Sequence, residues 1–184
     1  MSVSQPLAGR MPGAVVLERT YSFSSSHRYW RPEWTPEANR AAFGRCANAP
    51  AHGHNYRLTV EVSGAVDRHT GFAIDLPALD ELVRARVVLR LDHAHINDAV
   101  PEFAPGGEIP TTENLVCWIA AELAAGLPAA NRLEHVRLAE DDRLASKWTR
   151  QETAGRQAPA LQEKKPSEGK GPAKEENRLR EKTG

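Results

Sequence analysis

The stretch HGHNYRLTVEVSG, residues 52–64, decides how this chain folds. Apolar and polar residues alternate along it: Tyr56, Leu58, Val60 and Val62 fall on one face, and Arg57, Thr59, Glu61 and Ser63 on the other. Because successive side chains of a strand point to opposite faces, the pattern predicts a strand with one buried face. A sheet built on such a strand needs a second layer to cover its apolar side.

The segments on either side predict the rest of the architecture. Residues 15–27, VVLERTYSFSSSH, are typical of a strand that ends near His27. Residues 75–92 carry apolar residues at helical spacing after Asp75, which can cap the helix, and Thr111 or Thr112 can cap a second one. LEHVRLAE, residues 133–140, predicts a last strand. This order of strands and helices predicts an α+β fold with an antiparallel sheet.

Length and composition indicate one folded domain. The chain has 184 residues, of which 40% are hydrophobic, which suits a single core. We expect a flexible N-terminus at 1–13, a folded domain at 14–150 and a disordered tail at 151–184. The tail holds five of the six lysines, no aromatic residue and only two leucines, too little apolar surface to offset the entropy of ordering it.

Charge and hydropathy narrow the classes of partner. The formal net charge of +0 gives no basic field for a phosphate backbone, so we expect no nucleic-acid binding. No run of about 18 apolar residues is present, so we expect no membrane span. Arg10 and nearby prolines interrupt the apolar region that a secretory signal needs, which favours a cytoplasmic location. A small molecule or a protein is the expected partner.

Two histidines at the start of the central strand form a candidate metal site. His52 and His54 lie two positions apart and so share a face, and Gly53 between them leaves room for a ligand. Catalytic zinc takes three protein ligands and keeps one position open. His27, at the end of the first strand, could reach the same point across the sheet. Taken alone, the His-x-His pattern fits a hydrogen-bonded or solvent-facing pair equally well.

The two cysteines have different surroundings. Cys46 could be a fourth zinc ligand, a small buried side chain or an acid/base group, and the adjacent Arg45 favours a thiolate. Cys117 lies within an apolar helical pattern, and we expect it to be buried and inert. Asp92 stands directly before His93, and such a pair can share a proton, although it can also just cap a helix and bind water.

Several motifs taken in order resemble one family. They are FSSSH, CANAPAHGHNY, VDRHTGFAIDL, LDHAHIN, PTTENL and RLAE. Together they are similar to the 6-pyruvoyltetrahydropterin synthases and their bacterial relatives, the 6-carboxytetrahydropterin synthases of the queuosine pathway. The resemblance runs from about Tyr21 to Trp148. It implies the tunnelling fold, a four-stranded antiparallel sheet with two helices packed on one side, and assembly of trimers into a homohexamer.

The resemblance also implies an activity and a set of site residues. The implied activity is a zinc-dependent lyase that acts on 7,8-dihydroneopterin triphosphate. The implied Zn²⁺ ligands are His27, His52 and His54. The implied acid/base groups are Cys46, as general base, with Asp92 and His93. The positions implied to line or anchor the pterin are Thr111, Thr112, Glu113 and Glu140.

The sequence determines the product of the implied reaction less well than its substrate, and two local segments need separate interpretation. Six positions separate Cys46 from His52, as in the 6-pyruvoyl type, but the Arg- and Ala-rich domain resembles bacterial members, and we expect the 6-carboxy product. A non-catalytic zinc- or pterin-binding member of the family is a further alternative. The segment EDDRLASKW, which begins at Glu140, departs from the family motif. The Arg- and Trp-rich segment 28–43 either helps to bind triphosphate or forms a packed lid.

Overall fold

A computed structural model describes residues 14–151, so the predicted flexible N-terminus (1–13) and almost all of the predicted tail (152–184) lie outside the described residues. The strands are β1 (Val15–His27), β2 (His52–Gly64), β3 (Ala94–His95), β4 (Arg132–Ala139) and β5 (Ala145–Thr149). The helices are α1 (Pro36–Phe43), α2 (Leu76–Val83), α3 (Leu89–Leu91), α4 (Ile96–Ala99) and α5 (Thr112–Gly126). A π-helical segment, Arg84–Val88, joins α2 to α3, and short 3₁₀ turns cover Gly44–Ala47 and Pro101–Phe103.

The sheet has five strands in the order β3-β1-β2-β4-β5. β1 and β2 pair antiparallel over their whole length, from Val15 opposite Gly64 to His27 opposite His52. β3 runs parallel to β1, whereas β4 and β5 continue the antiparallel pattern. The prediction of four antiparallel strands is therefore wrong in the strand count and in one pairing. β3 spans only two residues, which is too short to give a sequence pattern.

β5 was missed because its residues belong to the segment EDDRLASKW, which we interpreted only as a site motif. The carboxylate of Asp141 accepts hydrogen bonds from the backbone N–H groups of Arg143 and Leu144. This side chain to backbone pairing closes a turn, as aspartate commonly does. The chain reverses there and pairs Ala145–Thr149 with β4.

The helices cover one face of the sheet, as expected. The alternation predicted for β2 is confirmed, since Tyr56, Leu58, Val60 and Val62 are all buried. They form one core with residues of α2, α3 and α5. Both predicted caps are present: the Asp75 side chain accepts from the N–H of Ala78, and the Thr111 side chain from the N–H of Asn114. Within residues 14–151, no helix has the length and hydropathy that a membrane crossing requires.

The Arg- and Trp-rich segment 28–43 is folded against the domain, since the Arg28 N–H donates to Asn97 Oδ1 at 2.9 Å and the Arg31 guanidinium to the Gly107 carbonyl at 2.8 Å. Asn39 is fully buried, where its side chain accepts from the Arg31 N–H and donates to the Arg31 carbonyl. Trp34 stacks on Phe43 with ring centroids 5.7 Å apart. The Arg28 guanidinium lies 4.0 Å from the centre of the Trp30 ring. These contacts match the packed lid, one of the two interpretations of this segment.

The prediction that Cys117 is buried is wrong, since the side chain is exposed. On α5 the neighbouring Val116 and Trp118 turn toward the core. An apolar neighbourhood in the sequence did not identify the helix face, and 3.6 residues per turn place Cys117 on the outer side.

Candidate metal centre and acid-base site

Three histidines meet where β1 and β2 end. The strand register sets His27 directly opposite His52 and Ser25 opposite His54. Nε2 of His27 lies 3.0 Å from Nε2 of His52, and one ring nitrogen from each of the three histidines lies within 4.8 Å of the other two. The structure therefore brings together all three ligands that the resemblance implies.

The chemical state of these imidazoles fits a zinc ion. His27 is fully buried, and burial, followed by the neighbouring His52 and His54, lowers its pKa to about 3. The pKa values of His52 and His54 are also lowered, chiefly by burial, so all three rings are neutral near pH 7. His52 Nδ1 and His54 Nε2 are buried without a hydrogen-bond partner among the described residues. Three neutral imidazole nitrogens suit zinc with an open fourth position.

Tyr56 orients the most buried of these rings. Its hydroxyl oxygen lies 3.1 Å from Nδ1 of His27, which leaves Nε2 facing His52. Such partners behind a metal ligand fix the ring and its tautomer. From the sequence we assigned Tyr56 only to the core. Tyr56 and His54 lie two positions apart on the same face of β2. This spacing was the sequence signal that Tyr56 could also contact the histidine cluster.

Glu140 follows the end of β4 and points toward the histidines. Its side chain is 7% exposed, and one carboxylate oxygen lies 3.9 Å from His54 Nε2. Burial raises the pKa of Glu140, and the charges of Glu113 and Asp141 raise it further. The other oxygen, Oε1, is buried with no hydrogen-bond partner among residues 14–151. An unpaired buried acceptor of this kind is costly unless a ligand supplies the donor.

The first turn of α5 borders the same place. Thr112 is buried, and its hydroxyl lies 3.3 Å from the Glu113 carboxylate. The Thr111 side chain caps the helix. Glu113 and Glu140 are thus neighbours, as their predicted common role requires.

Cys46 lies in the 3₁₀ turn after α1 and is half-buried. Burial raises the pKa of its thiol, and the Glu140 charge raises it further. Without a metal or substrate the group is therefore a protonated thiol near neutral pH, whereas the adjacent Arg45 had favoured a thiolate. The Tyr29 N–H donates to the Cys46 carbonyl at 2.8 Å, and the Tyr29 ring contacts His27, so the Cys46 turn lies beside the histidines.

Tyr29 is a site residue that we did not identify from the sequence. Its ring centre lies 4.7 Å from that of His27 and 6.0 Å from that of Phe43. Burial, then the charges of Glu140, Cys46 and Glu113, raise the pKa of Tyr29. Its neighbour Trp30 and the arginines around it gave no sequence signal that distinguished it.

Asp92 and His93 form a pair at another edge of the sheet. His93 Nδ1 lies 3.0 Å from an Asp92 carboxylate oxygen, and the other oxygen accepts from the Ser24 N–H at 2.9 Å. The Ser24 hydrogen bond, followed by that of His93, lowers the pKa of Asp92. The His93 side chain is 82% exposed, and its φ of 56° is unusual for a non-glycine residue.

The Asp92–His93 pair is separate from Cys46 within one chain. His93 borders a cavity of about 400 Å³ together with Ser24, Ser26 and Asn55, and His54 also lines this cavity. Strand parity turns the side chains of Ser24, Ser26 and Asn55 away from the face that carries the three histidines. Within residues 14–151, no hydrogen bond or ion pair joins Asp92 or His93 to Cys46. Nine of the ten predicted site residues therefore fall into two groups in the structure rather than into one site. The tenth, Thr111, caps α5.

The fold and the site together define a class of protein: an α+β domain with a cluster of three histidines that can hold a metal ion, beside a buried carboxylate and a thiol. A family comparison then identifies the family. The family model described as 6-pyruvoyl tetrahydropterin synthase matches residues 16–151, and the chain belongs to this family.

Individual relatives agree with that assignment. The chain is 35% identical over 127 residues to a 6-pyruvoyl tetrahydrobiopterin synthase of Poecilia reticulata, covering 69% of this chain and 84% of the relative. It is 37% identical over 98 residues to an Archaeoglobus fulgidus protein provisionally named 6-carboxy-5,6,7,8-tetrahydropterin synthase, covering 53% and 71%. The solved structure of the Caenorhabditis elegans 6-pyruvoyl tetrahydropterin synthase aligns with a TM-score of 0.68 at 29% identity, covering 77% of this chain and 99% of that one. The predicted tunnelling fold is confirmed, with five strands in the sheet.

Proposed function

We propose that this protein is a zinc-dependent lyase that eliminates triphosphate from 7,8-dihydroneopterin triphosphate. The observation that carries the proposal is the cluster of three neutral histidines beside the buried Glu140 carboxylate and the Cys46 thiol. Membership of the 6-pyruvoyl tetrahydropterin synthase family supports the substrate class. A binding protein would need the histidines and Glu140, but it would not need a thiol or the Asp92–His93 pair.

In this proposal Glu140 holds the pterin ring. The ring carries a guanidine-like edge with several N–H donors, and Glu140 Oε1 is a buried acceptor with no partner in the described part of the chain. Paired N–H donors favour the ionised carboxylate and offset the burial that raises the pKa of Glu140. The start of α5, with Thr112 and Glu113, then borders the ring.

Proton movement falls to Cys46 and to the Asp92–His93 pair. A zinc ion held by His27, His52 and His54 would supply Lewis-acid activation of the side-chain hydroxyls of the substrate. Cys46 is then the base that removes a proton from the side chain, once the charge of the loaded site lowers the raised pKa of its thiol. Because His93 is exposed and held by Asp92, we infer that the pair serves a site completed by another copy of the chain.

Two products are compatible with this common step. Elimination of triphosphate alone gives the 6-pyruvoyl product, and the name of the Poecilia relative favours it. Further cleavage of the side chain gives 6-carboxytetrahydropterin and acetaldehyde. We expected this product from the sequence, and the name of the Archaeoglobus relative supports it as the second candidate. We propose the 6-pyruvoyl product as the first candidate.

Product analysis tests the proposal. Zinc-loaded protein is incubated with 7,8-dihydroneopterin triphosphate, and the products are identified by mass spectrometry. Triphosphate release without acetaldehyde supports the first candidate. Acetaldehyde with 6-carboxytetrahydropterin supports the second, and no turnover would contradict both.

Two substitutions separate the metal site from the base. We predict that His52→Ala loses zinc and turnover together, because one of three ligands is gone. Cys46→Ala should keep one zinc ion per chain and lose turnover by at least about 100-fold, the typical contribution of a general base. Metal content and initial rate are measured on the same preparations. Loss of zinc from Cys46→Ala would show that Cys46 is a ligand and not the base.

A further inference from the structure

The side chain of Asn97 binds both backbone groups of Arg28. Its Oδ1 accepts the Arg28 N–H at 2.9 Å, and its Nδ2 donates to the Arg28 carbonyl at 3.1 Å. Nδ2 also donates to the carbonyl of Phe103 at 3.0 Å. Asn97 thus satisfies the backbone of Arg28 as a neighbouring strand would, one residue past the end of β1. Asn97 is the last residue of the motif LDHAHIN, and we assigned it no role from the sequence.

Asn97 is itself held by the core. It lies in α4, between Ile96 and Val100, which are both fully buried. Phe103, whose carbonyl it binds, is 1% exposed. The Asn97 side chain therefore connects Arg28 to a well-packed part of the fold, which is the support that a precisely placed group needs.

Arg28 and the residue after it hold the 3₁₀ turn that carries Cys46. The Arg28 guanidinium Nε donates to the Ala47 carbonyl at 2.9 Å. The backbone N–H of Tyr29 donates to the Cys46 carbonyl at 2.8 Å. Two consecutive residues thus bind two consecutive carbonyls of the Cys46 turn. Because Arg28 directly follows His27, these bonds set the position of the Cys46 turn relative to the histidine cluster.

We propose that Asn97 is a positioning residue for the general base: it fixes residues 28 and 29, and through them the Cys46 turn. The proposal rests on the proposed function of Cys46 as the base. Without the Asn97 side chain, the segment that binds the turn is no longer tied to α4. A reacting group displaced by about 1 Å can cost about 100-fold in rate, so the effect falls on the chemical step. Glu140, the proposed ring anchor, shares no hydrogen bond with Asn97 among residues 14–151, so substrate binding should change little.

The variant Asn97→Ala removes all three hydrogen bonds of this side chain. Asn131→Ala is the matched control. Asn131 Nδ2 also donates to a backbone carbonyl, that of Ala73 at 3.2 Å, and it lies beside Gly64, at the end of β2 opposite to the histidines. If Asn97→Ala gives no folded protein, Asn97→Asp takes its place, because it keeps the acceptor for the Arg28 N–H and loses only the two donor bonds.

The experiment uses zinc-loaded full-length protein in a Cys117→Ser background, which leaves Cys46 as the only thiol. For Asn97→Ala we expect kcat with 7,8-dihydroneopterin triphosphate to fall about 10- to 100-fold, with KM within about threefold of the parent. The alkylation rate of Cys46 with iodoacetamide at one fixed pH should rise about tenfold, because loss of these hydrogen bonds lets the turn open more often. Zinc content should stay at one per chain, and Asn131→Ala should match the parent protein in all four measurements.

Any of three results would overturn the proposal: an unchanged kcat or an unchanged alkylation rate in Asn97→Ala, loss of zinc from that variant, or the same changes in Asn131→Ala. Loss of zinc would show that Asn97 acts on the histidines, and equal changes in the control would assign the effect to a general loss of stability. If the parent protein shows no turnover, the proposed function fails, and the alkylation rates still decide whether Asn97 holds the Cys46 turn.

Discussion

At the scale of single residues, burial sets the chemistry of the site. His27 is fully buried and neutral, Glu140 is buried with its pKa raised, and the Cys46 thiol is protonated in the absence of ligands. Each group is disfavoured in its charged form, so metal and substrate binding must supply the compensating charge. The charged forms of Glu140 and Cys46 are therefore favoured only when metal and substrate bind in the site.

The pKa of Cys46 can be tested by alkylation of metal-free protein. In a Cys117→Ser background, which removes the exposed thiol, the rate with iodoacetamide should rise with pH around a midpoint above the ordinary thiol value of about 8.5. The sign follows because a raised pKa leaves less thiolate at neutral pH. Glu140→Gln removes a negative charge that raises the pKa, so its midpoint should move to lower pH.

Asp142→Asn provides the control for this experiment. Asp142 is two residues from Glu140, but its side chain is 93% exposed, so solvent screens its charge. The alkylation midpoint should stay where it is in the parent protein. Equal midpoints in the Glu140→Gln and parent proteins would contradict the coupling between Cys46 and Glu140.

The site residues differ in how far the sequence could predict them. Strand parity placed His52 and His54 on one face, but their identification with His27 as metal ligands came from the family resemblance. Tyr29 and Tyr56 could not be assigned, because the fold brings both side chains to His27. The adjacent Arg45 led us to favour a thiolate at Cys46. Burial and the charge of Glu140 instead raise the pKa of this thiol.

At the scale of elements, the helices that carry or cover the site begin at capped positions. Thr111 caps α5, whose first turn borders the histidines, and Asp75 caps α2, which covers the core. Sequence patterns predicted these two starts because a capping side chain acts within three residues. They did not predict β3 and β5, because β3 is two residues long and β5 exists through its pairing with β4.

The cap of α2 gives a test that is independent of activity. The Asp75 carboxylate accepts the Ala78 N–H at 3.1 Å, so Asp75→Ala should lower the free energy of unfolding by about 1 kcal/mol. Asp75→Asn keeps an acceptor in place and should lose much less. Urea unfolding at one fixed protein concentration measures both. Equal losses in the two variants would assign the effect to charge and not to the cap.

At the scale of the whole molecule, the sheet has open edges. β3 covers β1 only at Ser25 and Ser26, and β5 is the last strand of the sheet in the described chain. Unpaired strand edges expose backbone groups that can pair with another copy of the chain. The homohexamer that the resemblance implies stays a prediction, and these edges are surfaces at which copies of the chain can pair.

Removing the C-terminal segment tests where the functional unit ends. The family match ends at residue 151 and β5 ends at Thr149, so a chain that ends at 151 contains every element of the described fold. We expect it to keep the assembly mass of the full-length protein by light scattering, together with its zinc content and turnover. A truncated protein that dissociates or loses turnover would refute the interpretation of 151–184 as a dispensable tail.

The sequence alone determined the class of fold, the covered face of the sheet and the helix starts. All of these depend on periodicity or on contacts within a few residues, which a linear pattern records. Only the tertiary structure decided the fifth strand, the outward face of Cys117, the protonated state of Cys46 and the packing of Tyr29 against His27. It also decided that Asp92–His93 and Cys46 lie apart in one chain, because burial and long-range pairing exist only once distant segments have met.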